Sequence, residues 1–353
     1  MIKKIIRYYS EGIPPRKNFP AGFPGLLLYI KNIFNEMPPG ISRVLKLQPV
    51  IAFGSGFAVI FLLKRGFEYI PIITVFIIFT FVYLAFKIYL MKNSSAIPAK
   101  LADITVMFSV NYMLLFILPF YFESMTFPSR NIVFGLIIAG LAVISNWYYL
   151  FEKLILNSIF ASSVYYALIF FCVLNFIFPV IFGMRNIWSL VISGSIAAVT
   201  ALMFLYHHIR IKKDLKAAAK FTSGLVLSLA LVWFGRSFIP PAPLKLISAI
   251  ACEGIEEYRP VLPFTINSIE NVNEAYFFSS IFAPKGLKEK IDHVWYFNGK
   301  KLLSIHLSEI SGGRNYGFGT WSKHTIMEGP GIYTVEIWTS GGQFLGEGSF
   351  VLR

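Results

Sequence analysis

Through its first two-thirds this 353-residue chain is a series of long apolar runs, and after them apolar and polar positions alternate. The runs lie at 47–63, 69–91, 102–122, 131–151, 155–182, 186–206 and 222–239. Each reaches or nearly reaches the roughly 20 residues that a helix needs to cross a bilayer core. The first is the shortest and carries Pro49 and Gly54-Ser55-Gly56, read as helix packing; the fifth is long, with Pro179 near its end. Residues 1–46 form a proline-rich basic arm and then GLLLYIKNIFNEM, in which Leu26, Ile30, Ile33, Phe34 and Met37 share one helical face opposite Lys31, Asn32 and Asn35. That pattern predicts a helix lying in a membrane surface.

Pro240, Pro241 and Pro243 end the seventh run, because proline lacks the N–H a helix requires. Residues 240–257 are too short in apolar length to span and are expected to be a linker or a surface-lying segment. From 258 to 353 the period becomes two, with strands expected at 262–270, 275–282, 292–297, 301–308, 315–322, 331–339 and 344–352. Asn298-Gly299, Gly312-Gly313, Gly329-Pro330 and Gly341-Gly342 supply turns, and Asn-Gly is the pair best suited to a two-residue hairpin. In GIYTVEIWTS, Tyr333, Val335 and Ile337 face one way and Thr334 and Glu336 the other. The fold class expected is an α-helical transmembrane bundle of about seven helices (47–239), followed by an all-β immunoglobulin-like sandwich.

Composition agrees: 56% of residues are hydrophobic and 14% charged, against about 25% charged in soluble domains. The net charge of +14 is not a nucleic-acid signal once divided. From 254 onward nine Lys/Arg meet ten Asp/Glu, whereas the first 253 residues hold twenty-three against eight. The excess lies between the apolar runs, with seventeen basic residues in the arm and alternate loops (Lys87, Lys92, Lys100, Lys153, and 210–220). Lys64, Arg65, Arg130 and Arg185 are the four in the other loops. Basic residues collect on the cytoplasmic side, so the N-terminus is expected in the cytoplasm of a bacterial inner membrane and the C-terminal domain outside it. The N-terminal dozen residues lack a signal-peptide pattern, and the first spanning helix is expected to serve as an uncleaved anchor. Cys172 and Cys252 are too few and too differently placed for a disulfide framework.

The motifs HVWYFNGK, SGGRNYGFGTWSKH and GPGIYTVEIWTSGGQFLGEGSFVL, with His293, Trp295, Gly299, Lys300, Gly312, Gly313, Arg314, Ser322, Lys323, Gly331, Tyr333, Val335, Gly342, Gln343, Gly346 and Phe350, resemble family 2914 of the domains of unknown function. The resemblance covers roughly the last 90 residues; it departs at Tyr333, where Trp is usual, and at Phe318-Gly319, where an Arg is expected. It implies a polytopic bacterial membrane protein with a C-terminal domain and supplies no activity.

Candidate chemistry is sparse. His293, Trp295, Trp321 and His324 are candidates for a shallow aromatic cleft suited to sugars or peptides, although the favoured reading is Trp295 and Trp321 as core or cross-strand pairs with hydrogen-bonded histidines. Arg314, beside Gly312-Gly313, is a candidate anion grip or a solvated turn residue. His293, His306, His324 and Glu309 match no metal-ligand spacing, so no metal and no cofactor is expected. Within the helices Asn111, Asn146, Asn175 and Arg236 are functional candidates by default; the asparagines also suit bonds between helices, and Arg236 can snorkel. His207-His208 and the basic loop after them suit anionic lipid headgroups. No nucleotide, hydrolase or zinc-protease motif is present. The expected function is a non-catalytic envelope protein that presents its sandwich to a protein, peptide or glycan partner. The alternative is a transporter or membrane enzyme in the helical half, with the sandwich as accessory.

Overall fold

The computed structural model describes residues 96–352, apart from 127–128, 147, 157, 210–214 and 265–272. The basic arm, its surface helix and the first two expected spans lie outside the described residues. The chain divides into two compact units, one of 1–116 with 140–165 and one of 117–139 with 166–353.

Helices stand where the third to seventh apolar runs predict them: α1 (Ala96–Glu123), α2 (Ile132–Asn146), the single turn α3 (Tyr148–Phe151) leading into a π turn (Glu152–Leu156), α4 (Ile159–Phe182), α5 (Asn186–Ile209) and α6 (Leu215–Phe234). Among the described residues one helix, Phe160–Phe182, is long and apolar enough to cross a membrane; Val110–Glu123, Ile132–Asn146, Asn186–Leu202 and Val226–Phe238 are shorter apolar helices.

In the first unit Asn111 and Asn146 meet across α1 and α2: Asn111 Nδ2 donates to Asn146 Oδ1 at 2.8 Å, and Ser145 Oγ donates to Asn111 Oδ1 at 3.1 Å. In the second, Tyr121 donates to the Cys172 carbonyl at 2.9 Å and receives Asn175 Nδ2 at 3.3 Å. The helices hide these polar groups while Leu136, Phe160, Phe182, Trp188, Leu227, Leu231 and Phe234 stay exposed.

The second unit continues into eight strands: β1 (Lys245–Glu256), β2 (Arg259–Pro263), β3 (Glu274–Phe282), β4 (Lys288–Phe297), β5 (Lys300–Ser311), β6 (Phe318–Thr325), β7 (Gly331–Thr339) and β8 (Phe344–Leu352). They form two antiparallel four-stranded sheets, β2-β1-β3-β6 and β5-β4-β7-β8, packed as a sandwich. Residues 245–256, expected to be linker, are the strand β1, which pairs with both β2 and β3. The short apolar stretch misled because its alternation is interrupted by a register shift between Leu246 and Ser248. Asn298 (φ +46°) and Gly299 (φ +79°) make the expected β4–β5 turn. Phe277, Trp295, Tyr333, Val335, Ile337 and Phe350 fill the core, with Tyr333 stacked on Phe350 at 5.2 Å. A fully buried large side chain contributes about 1.5–3 kcal/mol, so this layer is the sandwich's main source of stability.

The sandwich is seated on helix ends. Glu289 of β4 is fully buried; its Oε2 accepts the Asn186 backbone N–H at 2.7 Å, at the start of α5, and its Oε1 lies 3.5 Å from Arg185 Nε. A carboxylate there completes an orphan donor and suits the positive end of the helix dipole. Gly183 (φ +59°), which ends α4, meets the Gly286 carbonyl so closely that a Cβ would stand 2.6 Å from that oxygen. Asn131, just before α2, donates through Nδ2 to the Phe344 carbonyl at 2.8 Å. The ends of α1 and α4, the turn after α6 and the beginnings of α2 and α5 each touch the sandwich.

Candidate functional site

His293 and Trp295 alternate onto the inner face of β4 and are 0% exposed. His293 Nε2 lies 2.9 Å from Ser279 Oγ on β3, and its Nδ1 lies 2.8 Å from Ser322 Oγ on β6. Trp295 Nε1 donates to the same Ser322 oxygen at 3.0 Å. Burial without a compensating anion pushes the imidazole down to about 3, so it is neutral at pH 7. The pair is a polar brace joining the two sheets. His324 lies on the inner face as well, 5.3 Å from the Trp295 ring centroid, with Nε2 at 3.2 Å from Glu328.

The structure therefore does not bring the expected aromatic quartet into one cleft. Neighbouring residues of a strand point to opposite faces: on β6, Ser322 and His324 turn inward and Trp321 turns outward. Trp321 and Arg314 instead border a half-open cleft of about 1100 Å³ on the outer face of the β2-β1-β3-β6 sheet, together with Tyr258, Arg259, Phe278 and Phe318. Tyr258, at the β1–β2 hairpin tip, meets Trp321 edge-on at 5.6 Å between centroids. Phe278 closes the floor beside Gly319, where a Cβ would stand 2.8 Å from its ring. The Arg314 guanidinium lies over Phe318 at 4.6 Å, a cation–π contact that leaves its N–H edges free to donate. Among the described residues neither Arg259 nor Arg314 has a carboxylate within 4.0 Å. Glu257 is the single acidic residue in the lining.

This surface was half-legible in sequence. Arg314 and Trp321 stand out in the sequence, whereas Tyr258 and Arg259 fall at the edge of the expected linker. Their signal was the polar run Glu256-Glu257-Tyr258-Arg259, which reads as a hairpin tip once the segments beside it are strands.

The helical candidates are engaged in packing. Asn111, Asn146 and Asn175 have the partners given above. Arg236, in the single 3₁₀ turn Gly235–Phe238 after α6, stands over Trp233 at 4.2 Å. His306 pairs with Asp292 at 2.7 Å on the surface. Among the described residues no three His, Cys, Asp or Glu side chains are grouped to hold a metal ion, and both cysteines are free thiols.

The fold and cleft define a class: apolar helices carrying an all-β sandwich with an open, partly aromatic cleft. A sequence model for DUF5924, a family of unknown function, matches residues 27–296, and the chain belongs to that family. A second, for DUF2914, a protein of unknown function, matches residues 288–352 and bears out the resemblance read from the motifs. No curated protein and no solved structure matches. The two matches overlap within β4, so the sandwich is built from both: β1–β3 from the first, β5–β8 from the second.

Proposed function

We propose that this is a polytopic protein of about seven helices in a bacterial inner membrane. Its N-terminus is cytoplasmic, and it presents an immunoglobulin-like sandwich on the extracytoplasmic side as a non-catalytic binding or assembly module. The observation that carries the functional part is the outward cleft, where among the described residues two arginines have no carboxylate within 4.0 Å and stand beside the exposed Tyr258 ring and the half-buried Trp321. Arg, Tyr and Trp are the residues most often found where binding energy concentrates. The membrane part is supported by helices that bury asparagine and serine while exposing large apolar side chains, the arrangement suited to a lipid solvent. Trp188 and Trp233, exposed near the sandwich, suit an interfacial aromatic belt. Arg130 and Arg185, the described basic residues on the sparsely charged side, have carboxylate partners in the sandwich.

Two measurements test the reading. Lys301, exposed beside the β4–β5 turn, is replaced by Cys in a Cys252→Ser background and treated with a membrane-impermeant maleimide. Labelling in cells whose outer barrier admits the reagent is the expected result; labelling only after the inner membrane is opened would sink the orientation. The double variant Arg259→Gln/Arg314→Gln is then compared with Asn146→Leu for complementation of a deletion strain's envelope phenotype. Loss in the arginine variant is expected; full complementation there, with loss only in the Asn variant, would move the function into the helices.

A further inference from the structure

We propose that the cleft takes an acidic sugar unit, a pyranose ring carrying a carboxylate within an oligosaccharide. The inference rests on the binding-module reading and narrows its partner to one chemistry. Arg259 and Arg314 enter from different segments, the start of β2 and the β5–β6 loop, and both line the same cleft. Two guanidiniums with no carboxylate within 4.0 Å among the described residues outweigh the one lining acid, Glu257, and a guanidinium edge matches a carboxylate by two parallel hydrogen bonds. The contact with Phe318 restrains the Arg314 guanidinium before any ligand arrives, which lowers the ordering cost of binding.

The remaining lining selects a sugar. Tyr258 and Trp321, held edge to face, offer flat rings to the C–H face of a pyranose. Ser248 and Ser308 add polar residues to the lining of the same cleft. Ser280 is already committed, donating to the Tyr316 carbonyl at 2.8 Å, and so shapes the wall. A volume of about 1100 Å³ lies just above the roughly 300–1,000 Å³ range that holds drug-sized ligands. A segment of several sugars suits it better than a lone ring.

The test uses the full chain in nanodiscs of zwitterionic lipid, titrated calorimetrically with hexagalacturonate, its methyl-esterified neutral form and an acidic peptide of equal charge. The expected result is binding of the acid form at least tenfold tighter than the ester. Arg259→Gln and Arg314→Gln each weaken it tenfold or more with an unchanged melting temperature, and Trp321→Leu weakens acid and ester alike. Equal binding of the ester, tighter binding of the peptide, or indifference to Arg314→Gln would each overturn the assignment, the last by placing the charge contact elsewhere. Absence of uronate binding, with the arginine variants still failing to complement, overturns the sugar and leaves the binding module standing. Absence of binding with full complementation overturns both.

Discussion

Two arginines sit over aromatic rings of different sheets of the sandwich, and their fates differ. Arg130, from the segment between α1 and α2, lies 5.2 Å from the Trp338 centroid and 5.4 Å from that of Phe344, and pairs with Glu336 at 3.3 Å. Glu336 also accepts Tyr296 Oη and Trp338 Nε1, each at 2.9 Å. That face is closed, and burial with the neighbouring carboxylate pushes the Tyr296 phenol up to about 12. Arg314 has the ring and lacks the carboxylate. The same side-chain chemistry serves as a fastening where an acid is supplied from within the chain. Where none is supplied, it is left available to something outside.

The largest effect expected follows from the shared construction of the sandwich. A fragment of 288–352 contains one whole sheet and β6, whose strand partner among the described residues, β3, lies upstream. It also leaves His293 without Ser279. No cooperative unfolding transition is expected from it by circular dichroism; a sharp transition would show that β6 and the brace do not need the upstream strands.

Next comes the seat at Glu289. Burial pushes its carboxyl above the usual range, opposed by the Asn186 and Lys290 N–H groups and by Arg185. Arg185→Ala removes the cation beside a fully buried acid, and breaking a buried pair costs about 3–5 kcal/mol; the partial exposure of Arg185 places the expected loss at the low end. Chemical denaturation of the full chain measures it, and Arg185→Ala/Glu289→Gln is expected to recover part of the loss. No recovery would mean that the arginine acts by packing alone.

The brace has its own pH signature. Folded His293 resists protonation down to about 3, while an unfolded histidine binds a proton near 6.5. The unfolded state therefore holds more protons between these values, and stability rises with pH across that window. Its contribution is complete above about 6.5 and falls by about 1.4 kcal/mol per pH unit below it. Denaturation midpoints at pH 7, 5 and 4 test this, and His293→Gln is expected to flatten the slope. An unchanged slope in that variant would move the acid sensitivity elsewhere.

The smallest stability effect is expected in the cleft. Arg314→Gln removes no ion pair and should change stability by less than about 0.5 kcal/mol. Glu336→Gln, which weakens three charge-assisted contacts, should cost about 1.5–3 kcal/mol. If the two substitutions cost the same, the contrast between the open and closed faces fails.

Much of this molecule was determined by sequence alone. Runs of apolar residues long enough to satisfy their own backbone hydrogen bonds announced the helices. Period-two alternation with Asn298-Gly299 and paired glycines announced the sandwich, because both signals are local. The edge at Lys245–Glu256 escaped, since a strand interrupted by a register shift has no clean period and is defined by its partners on β2 and β3. Which arginines are fastened and which are left open was decided only in three dimensions. Arg130 finds Glu336 206 residues away, and Asn186, beside Arg185, has its N–H capped by Glu289 103 residues away. Alternation fixes which face a side chain takes; only packing decides whether that face meets the protein or the solvent. That is why His293 and Trp295 became core while Trp321, from the same motif set, became part of a surface cleft.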